Sequence, residues 1–412
     1  MTRPRTNTSF PKSEIKVLLL EGIHPVAAEA FAAEGFAVET TKGALAEAEL
    51  IERIRDTHVL GIRSKTQVTP AVLDAARRLL SIGAFCIGTN QIALRQAAQR
   101  GAPVFNAPFS NTRSVAEMIL AEVVMLARHL GDRSREVHAG QWRKVAVGSH
   151  EIRGRTLGII GYGHIGSQVG VLAEAFGMRV VFFDIASKLP MGNNQPMGKL
   201  SDLLAVADFV TIHVPETPQT KNMFGATEVA AMKPGACLLN ASRGTVVDVE
   251  ALAAAIKSGA VGGAAIDVFP EEPERNSDDF TSPLCGLPNV VLTPHIGGST
   301  EEAQEAIGRE VSTALLKFVN SGSTAGAVNF PIVEPPPPGD AHRILNVHKN
   351  VPGVLRDINK AVSDLNANIR AQLLATDAEI GYLVMDLDQD VSQDVRNAIA
   401  ALPTDIKTRI LF

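Results

Sequence analysis

The chain has 412 residues, 45% of them apolar and 20% charged, the balance of a globular protein with room for several compact units at roughly 100–200 residues per domain. A formal charge of −5 excludes a general attraction to nucleic acid or to anionic membranes, so counter-charges for an anionic ligand must be gathered locally. Three widely spaced cysteines, Cys86, Cys237 and Cys285, fit neither a zinc site nor a disulfide framework, so reduced thiols and no metal are expected.

Met1 to Glu14 is polar and basic, without the apolar run of a secretory signal. No later stretch approaches the roughly 20 apolar residues of a membrane span, so a soluble, cytoplasmic protein is expected. From Lys16, short apolar runs (KVLLLEG, AVETT, HVLGIRS, LLSIGAFCIG, APVFNAP) alternate with helical stretches such as ALAEAELIERIRD, which is the rhythm of parallel βαβ units. This first unit runs to about Pro108. Ser114–Leu130 reads as one long helix joining it to a second α/β series, which begins at Thr156 and carries RVVFFD, DFVTIHVP, ACLLNAS, GGAAIDVF and NVVLTPH. The helix Ser299–Val319 is too long to close the second sheet, and we expect it to return to the first unit and make that unit discontinuous. The expected division is therefore 1–108 with 297–330, and 109–296 inserted between them. Residues 331–339 follow as a Pro-rich linker, held extended and joining no packed layer. Residues 340–412 close the chain: strand Arg343–Val347, helix Gly353–Leu365, strands Ala367–Ala375 and Gly381–Leu387, helix Val391–Leu402 and strand Asp405–Leu411. That βαββαβ order is ferredoxin-like.

Gly161-Tyr162-Gly163-His164-Ile165-Gly166 follows an apolar strand and opens a helix. The first Gly permits the tight turn, the second lets backbone approach a pyrophosphate, and the third lets helix and strand pack closely. The helix N-terminus then presents N–H groups to phosphate. Asp184, ending the next strand, accepts from both ribose hydroxyls and would repel a 2′-phosphate, which favours NAD over NADP. Arg243, Glu272 and His295 each follow a strand of the second unit, and ligands of an open parallel sheet sit at the carboxyl ends of its strands. Arg243 can hold an α-carboxylate by a two-pronged pair and polarise the C2 oxygen. His295 can take the hydroxyl proton as hydride leaves. Glu272 can orient the imidazole and favour its protonated form.

Through GYGHIG, HVP, NASRG, DVFPEEP and TPHIGG, residues 15–330 resemble the D-isomer-specific 2-hydroxyacid dehydrogenase family. The resemblance implies a Rossmann-type NAD domain inserted in a flavodoxin-like substrate domain, with Arg243, Glu272 and His295 as the active site. It also implies that Thr112, His213, Val214, Pro215, Ala241, Ser242, Asp267, Gly297 and Gly298 line the cofactor. The segments GIRS, NAPFSNTRSVAE and QWRK resemble the branch of the family that oxidises D-3-phosphoglycerate to 3-phosphooxypyruvate with NAD, at the first step of L-serine synthesis. By that likeness Arg63, Ser64 and Asn106 bind substrate, and Lys42 and Lys144 reach its phosphate, the latter pair from a neighbouring subunit. A phosphorylated carboxylate demands more cations than one Arg, which agrees with Arg63 on a loop after a strand. The last unit resembles the ACT domain, through NVHKNVPGVL and NANI. This implies that His348, Asn350 and Asn368 bind L-serine across a pair of such domains as feedback inhibition. A homo-oligomer, a tetramer through NAD-domain and ACT-domain contacts, is expected. The alternatives are a glyoxylate or hydroxypyruvate reductase, which shares the Arg, Glu and His without phosphate-directed cations, and a non-catalytic NAD-sensing protein, which need not keep those three together.

Overall fold

The computed structural model describes residues 10–273, 279–388 and 392–411. The polar start at 1–9 and the expected helix start at Val391 lie outside them. The chain divides into two compact units, one built from residues up to Ser110 and from Gln304 on, the other from Asn111–Ala303.

The first unit opens with β1 (Lys16–Leu19), α1 (Pro25–Ala33), β2 (Ala37–Thr40), α2 (Glu47–Ile54), β3 (Val59–Ile62), α3 (Pro70–Ala75), β4 (Ser81–Ala84), α4 (Leu94–Gln99) and β5 (Val104–Asn106). The strands pair in parallel in the order β2-β1-β3-β4-β5, a doubly wound arrangement. β3 and β4 are buried along their whole length, as strands covered on both faces must be.

The second unit contains α5 (Thr112–Arg128), α6 (Leu130–His138), β6 (Thr156–Ile160), α7 (His164–Ala175), β7 (Arg179–Phe183), β8 (Gln195–Pro196), α8 (Leu200–Val206), β9 (Phe209–Ile212), α9 (Ala226–Ala231), β10 (Cys237–Asn240), α10 (Val249–Ser258), β11 (Gly263–Ile266) and β12 (Val290–Leu292). Its seven strands run in parallel in the order β12-β11-β10-β9-β6-β7-β8, so the strand order reverses direction beside β6, where open sheets of this kind bind dinucleotides. The helix expected over Ser114–Leu130 is α5, which starts two residues earlier and ends two residues sooner, and a second helix, α6, follows it. His129 takes a left-handed conformation (φ 53°), which ends α5 and caps the start of α6.

α11 (Glu301–Ser321) carries the chain back onto the first sheet. Val311, Leu315, Phe318 and Val319 are buried in one core with Val17, Leu19, Phe85 and Phe105. Truncating Leu315 to Ala there would cost about 2–5 kcal/mol. The Pro-rich segment forms no helix or strand, and residues 331–335 alternate buried with exposed, so its first half does pack. Phe330 and Val333 are buried in the same core, and Val333 exchanges backbone and side-chain hydrogen bonds with Thr324. An extended chain turns alternate residues to opposite sides, so one face of it can join a core while the other stays wet.

The chain closes with β13 (His342–Lys349), α12 (Val354–Asp364), β14 (Ile369–Thr376), β15 (Ile380–Leu387), α13 (Ser392–Ala400) and β16 (Asp405–Leu411), an antiparallel sheet in the order β14-β15-β13-β16. One face buries Ile344, Leu383 and Met385 against Ile358, Val362, Val395 and Ile399 of the two helices. Leu345, Val347, Tyr382 and Val384, of alternate parity along β13 and β15, join the core around α11. Arg343, wholly buried, is neutralised by a two-pronged pair with Asp386 at 2.6 and 2.8 Å, and its third donor caps the Ser321 carbonyl at the end of α11.

Candidate active site

The loop between β6 and α7 is as tight as its glycines suggest. Gly161 has φ +89°, and a Cβ on it would lie 2.3 Å from the His213 carbonyl oxygen; a Cβ on Gly166 would lie 2.2 Å from the Gly161 oxygen. Gly163, between them, faces open space, which leaves backbone room for a pyrophosphate. Tyr162 faces inward, buried and stacked on Phe182 with ring centroids 3.7 Å apart, and its hydroxyl accepts from the Met191 N–H and the Asn194 amide. Its contribution to a ligand is therefore backbone alone. Asp184 follows β7, and its carboxylate accepts from Tyr162 N at 2.8 Å and Ala186 N at 2.9 Å, which ties the acidic residue to the glycine turn. His164 and Ile165 open α7. His213 follows β9 with Nε2 2.9 Å from the Thr211 hydroxyl, while its Nδ1 is buried and lacks a hydrogen-bond partner among the described residues. Burial pushes its pKa down to about 3, so it is a neutral imidazole and no proton carrier. Val214 and Pro215 continue from it, half-buried and exposed. Open space over Gly163, an orphaned nitrogen at His213 and a ribose-type carboxylate at Asp184 together fit a dinucleotide.

β10, β11 and β12 are neighbours, so the loops leaving their carboxyl ends emerge side by side. The Asn240 side chain shapes the first loop: its oxygen accepts from Ser242 N and Ser242 Oγ, and its amide donates to the Arg243 carbonyl. Ala241 is half-buried, Ser242 is buried and Arg243 is half-buried, with one guanidinium donor on the Ser242 carbonyl at 2.7 Å. The sequence contained a signal for Asn240, since Asn side chains bond their own backbone two residues on, but its role was not anticipated.

Asp267, after β11, is almost wholly buried. It accepts from the Thr293 hydroxyl (2.6 Å), Ile296 N (2.8 Å) and Gly297 N (2.9 Å), while its carbonyl accepts from His295 N (2.8 Å). These bonds fix the third loop and hold His295 in the left-handed region at φ +55°, a conformation that costs a non-glycine residue of order 1–3 kcal/mol and persists where surroundings enforce it. His295 Nδ1 lies 2.9 Å from Glu272 Oε2, and Glu272 Oε1 accepts from Phe269 N at 3.1 Å. The hydrogen bond to Glu272 raises the His295 pKa above the usual imidazole value; burial opposes it, the charges of Glu272 and Asp267 add to it, and that of Arg243 opposes it. Burial pushes the Glu272 carboxyl up, but His295, the Phe269 N–H and Arg243 together hold it below its ordinary value. The guanidinium thus sits close enough to the carboxylate and the imidazole for its charge to act on both.

Gly297 is buried and Gly298 packs against Asn111, next to Thr112 at the start of α5. Beneath them Glu122, on the buried face of α5, is pushed up to about 8 by burial and by the Asp267 charge, so a neutral carboxylic acid lies under this loop. Sequence reasoning placed it on an unremarked helix face.

In the first unit, Lys42 is exposed on the loop after β2, and Arg63 and Ser64 follow β3. Asn106 ends β5 and donates to the Ile87 carbonyl at 2.6 Å. Lys144 lies in the second unit within an exposed irregular segment that also bares Trp142 and Val147. In the C-terminal sheet His348 is buried, with Nδ1 2.8 Å from Asn346 Oδ1, and burial lowers its pKa. Asn350 is exposed and donates to the Asp377 carbonyl, and Asn368 donates to Asp388. His348 pairs across from Gly381 at one end of β15, whereas Ile369, next to Asn368, pairs with Leu387 at the other. At about 3.4 Å per residue that separation is roughly 20 Å, so one chain does not bring Asn368 to His348 and Asn350. Among the described residues no helix is long and apolar enough to cross a membrane, and no group of three His, Cys, Asp or Glu is placed to hold a metal.

Residues 120–297 match the family model of the D-isomer specific 2-hydroxyacid dehydrogenase NAD binding domain, and residues 344–407 that of the AHAS small subunit-like ACT domain. The chain is 54% identical over 405 residues to D-3-phosphoglycerate dehydrogenase of Dictyostelium discoideum, covering 98% of this chain and 99% of the relative. It is 54% identical to that of Escherichia coli K12 with the same coverage, and 48% identical to D-3-phosphoglycerate dehydrogenase 1 of Saccharomyces cerevisiae, over 99% and 90% of the two chains. Among solved structures it is similar to the TT0316 protein of Thermus thermophilus (TM-score 0.70, 31% identity, 76% of this chain and 100% of that one). It is also similar to D-lactate dehydrogenase of Aquifex aeolicus complexed with NAD and lactic acid (TM-score 0.66, 25% identity, 76% and 99%). With its parallel-sheet units, its glycine turn and its full-length likeness to these enzymes, the chain belongs to the D-3-phosphoglycerate dehydrogenases of the D-isomer specific 2-hydroxyacid dehydrogenase family.

Proposed function

We propose that this protein oxidises D-3-phosphoglycerate to 3-phosphooxypyruvate with NAD, and that Arg243, Glu272 and His295 carry the reaction. The observation that carries the reading is the 2.9 Å His295–Glu272 hydrogen bond on the strand-end loop beside Arg243. An ionised carboxylate only accepts, so Glu272 fixes the proton on Nδ1 and leaves Nε2 as the free lone pair. Nε2 takes the C2 hydroxyl proton while Arg243 holds the substrate carboxylate and polarises the C2 oxygen. NAD, when bound, supplies the acceptor for the hydride leaving C2. The backbone over Gly161–Gly166, Asp184, His213–Pro215, Ala241–Ser242, Asp267, Gly297–Gly298 and Thr112 would hold it.

Arg63, Ser64, Asn106, Lys42 and Lys144 are our candidates for binding the phosphorylated substrate, because its two anionic ends need more cations than Arg243 alone. Residues 1–108 with 297–330 then serve as substrate domain, 109–296 as NAD domain and 340–412 as effector domain, with L-serine as the effector at His348, Asn350 and Asn368. The separation of those residues within one chain supports a pair of ACT domains, and with the exposed Trp142–Val147 segment a homotetramer. A cytoplasmic location agrees with three cysteines that form no disulfide.

The test is NADH absorbance with D-3-phosphoglycerate beside D-glycerate, and with hydroxypyruvate and glyoxylate in reverse, each with and without L-serine. Turnover of the phosphorylated acid, suppressed by serine, is expected. Turnover confined to the unphosphorylated acids would overturn the assignment.

A further inference from the structure

We propose that Glu21 is the positioning residue that sets both cationic substrate loops of the first unit, which rests on the reading of Lys42, Arg63 and Ser64 as substrate contacts. β1 lies between β2 and β3, so the loop after β1 runs between the loop bearing Lys42 and the loop bearing Arg63 and Ser64. All three leave the carboxyl ends of parallel strands, the edge at which such sheets bind ligands. Glu21 reaches both neighbours. Its backbone N–H donates to the Gly43 carbonyl at 3.1 Å and that of Gly22 donates to Thr41 at 2.9 Å, which pins the Lys42 loop from both sides of the lysine. Its carboxylate turns the other way: Oε1 accepts from Arg63 N at 3.1 Å and Thr66 N at 2.8 Å, and Oε2 accepts from Lys65 N at 3.0 Å.

Three N–H groups converging on one point form a concavity for an anion, and here the protein fills it with its own carboxylate. The substrate loop is thereby shaped through its backbone, and the Arg63 carbonyl is held as well, by the Gln91 amide at 2.7 Å. No carboxylate among the described residues pairs with the Arg63 guanidinium, so fixing the loop leaves its charge available. Glu21 also has φ +61°, in the left-handed region where glycine is the ordinary choice. Glycine would relieve that backbone, so what the glutamate adds at this position is its side chain.

That geometry gives clean variants. Glu21→Gly keeps the left-handed turn and both backbone bonds but removes the carboxylate; Glu21→Gln keeps one acceptor oxygen. The account expects E21G to raise KM for D-3-phosphoglycerate roughly tenfold to a hundredfold, with kcat and KM for NAD changed less than about threefold, and E21Q to recover most of the loss. In the free enzyme, deuterium uptake at the 63–66 amides should quicken in E21G. Arg63→Ala serves as the reference. If R63A raises KM while E21G does not, or if E21G depresses kcat and NAD binding alike, or leaves amide exchange unchanged, the positioning role is wrong and the substrate reading stands. If neither variant moves KM for the phosphorylated acid, the reading of this loop as a substrate contact falls, and the inference with it.

Discussion

The strand-end loops of the second unit and the residues of the C-terminal sheet proposed to bind serine both carry polar side chains, yet topology treats them oppositely. β10, β11 and β12 are adjacent and parallel, so Arg243, Glu272 and His295 all leave the same edge and one chain assembles them. β13 and β14 also run in the same direction, each antiparallel to β15 between them, but His348 lies near the end of β13 and Asn368 just before the start of β14. The two therefore face opposite ends of one sheet. Side chains at successive carboxyl ends of a parallel sheet can meet within one chain; a site drawn from the end of one strand and the beginning of another, as proposed for serine, would call for a second copy.

Breaking the one-chain site should produce the largest effects. His295→Asn is expected to lower kcat by roughly 10²–10⁴-fold, with NAD affinity, measured by calorimetry, nearly unchanged; a loss below tenfold would remove His295 from proton transfer. Arg243→Lys keeps the charge but loses the planar fork, and kcat/KM for D-3-phosphoglycerate should fall about 10²–10³-fold. A near-normal value would mean that Arg243 binds no carboxylate.

Breaking the two-copy site should be milder and, unlike the first, repairable by mixing. His348→Ala and Asn368→Ala each should weaken half-maximal inhibition by serine about tenfold or more, the worth of a hydrogen bond to a charged ligand. Chains of the two variants, unfolded and reassembled together, should regain part of the inhibition, because each mixed pair rebuilds one intact site. Mixtures no more sensitive than either variant alone would show that serine is held within one chain.

The parallel-sheet units were legible because their signals are local. An apolar strand running into Gly161–Gly166, and polar residues just past Asn240, Ile266 and Leu292, mark strand ends whose common edge follows from the βα rhythm. What stayed hidden depends on partners distant in sequence. The sequence marks Asp267 as a residue beside the cofactor but not that its carboxylate also ties down Thr293, Ile296 and Gly297, some thirty positions away. Tyr162 sits in the fingerprint, but its ring serves the core through Phe182 and Asn194. The end of α5 is legible to within two residues, but the helix α6 that follows is not, because its start is set by the left-handed backbone of His129 rather than by an apolar period. Arg343 looked like an ordinary strand residue; that it is buried depends on Asp386, which no spacing rule joins to it.

The most direct test of the account is the pH dependence of kcat/KM in both directions, for the wild type and Glu272→Gln. Oxidation needs neutral His295 and should be lost as pH falls through its pKa; reduction needs the protonated ring and should be lost as pH rises through the same value. Because the bond to Glu272 raises that pKa, both limbs should lie above the ordinary imidazole value, and E272Q should move both to lower pH, with turnover reduced roughly tenfold. Limbs that stay in place when Glu272 is replaced would contradict the claim that this carboxylate holds and tunes the catalytic imidazole.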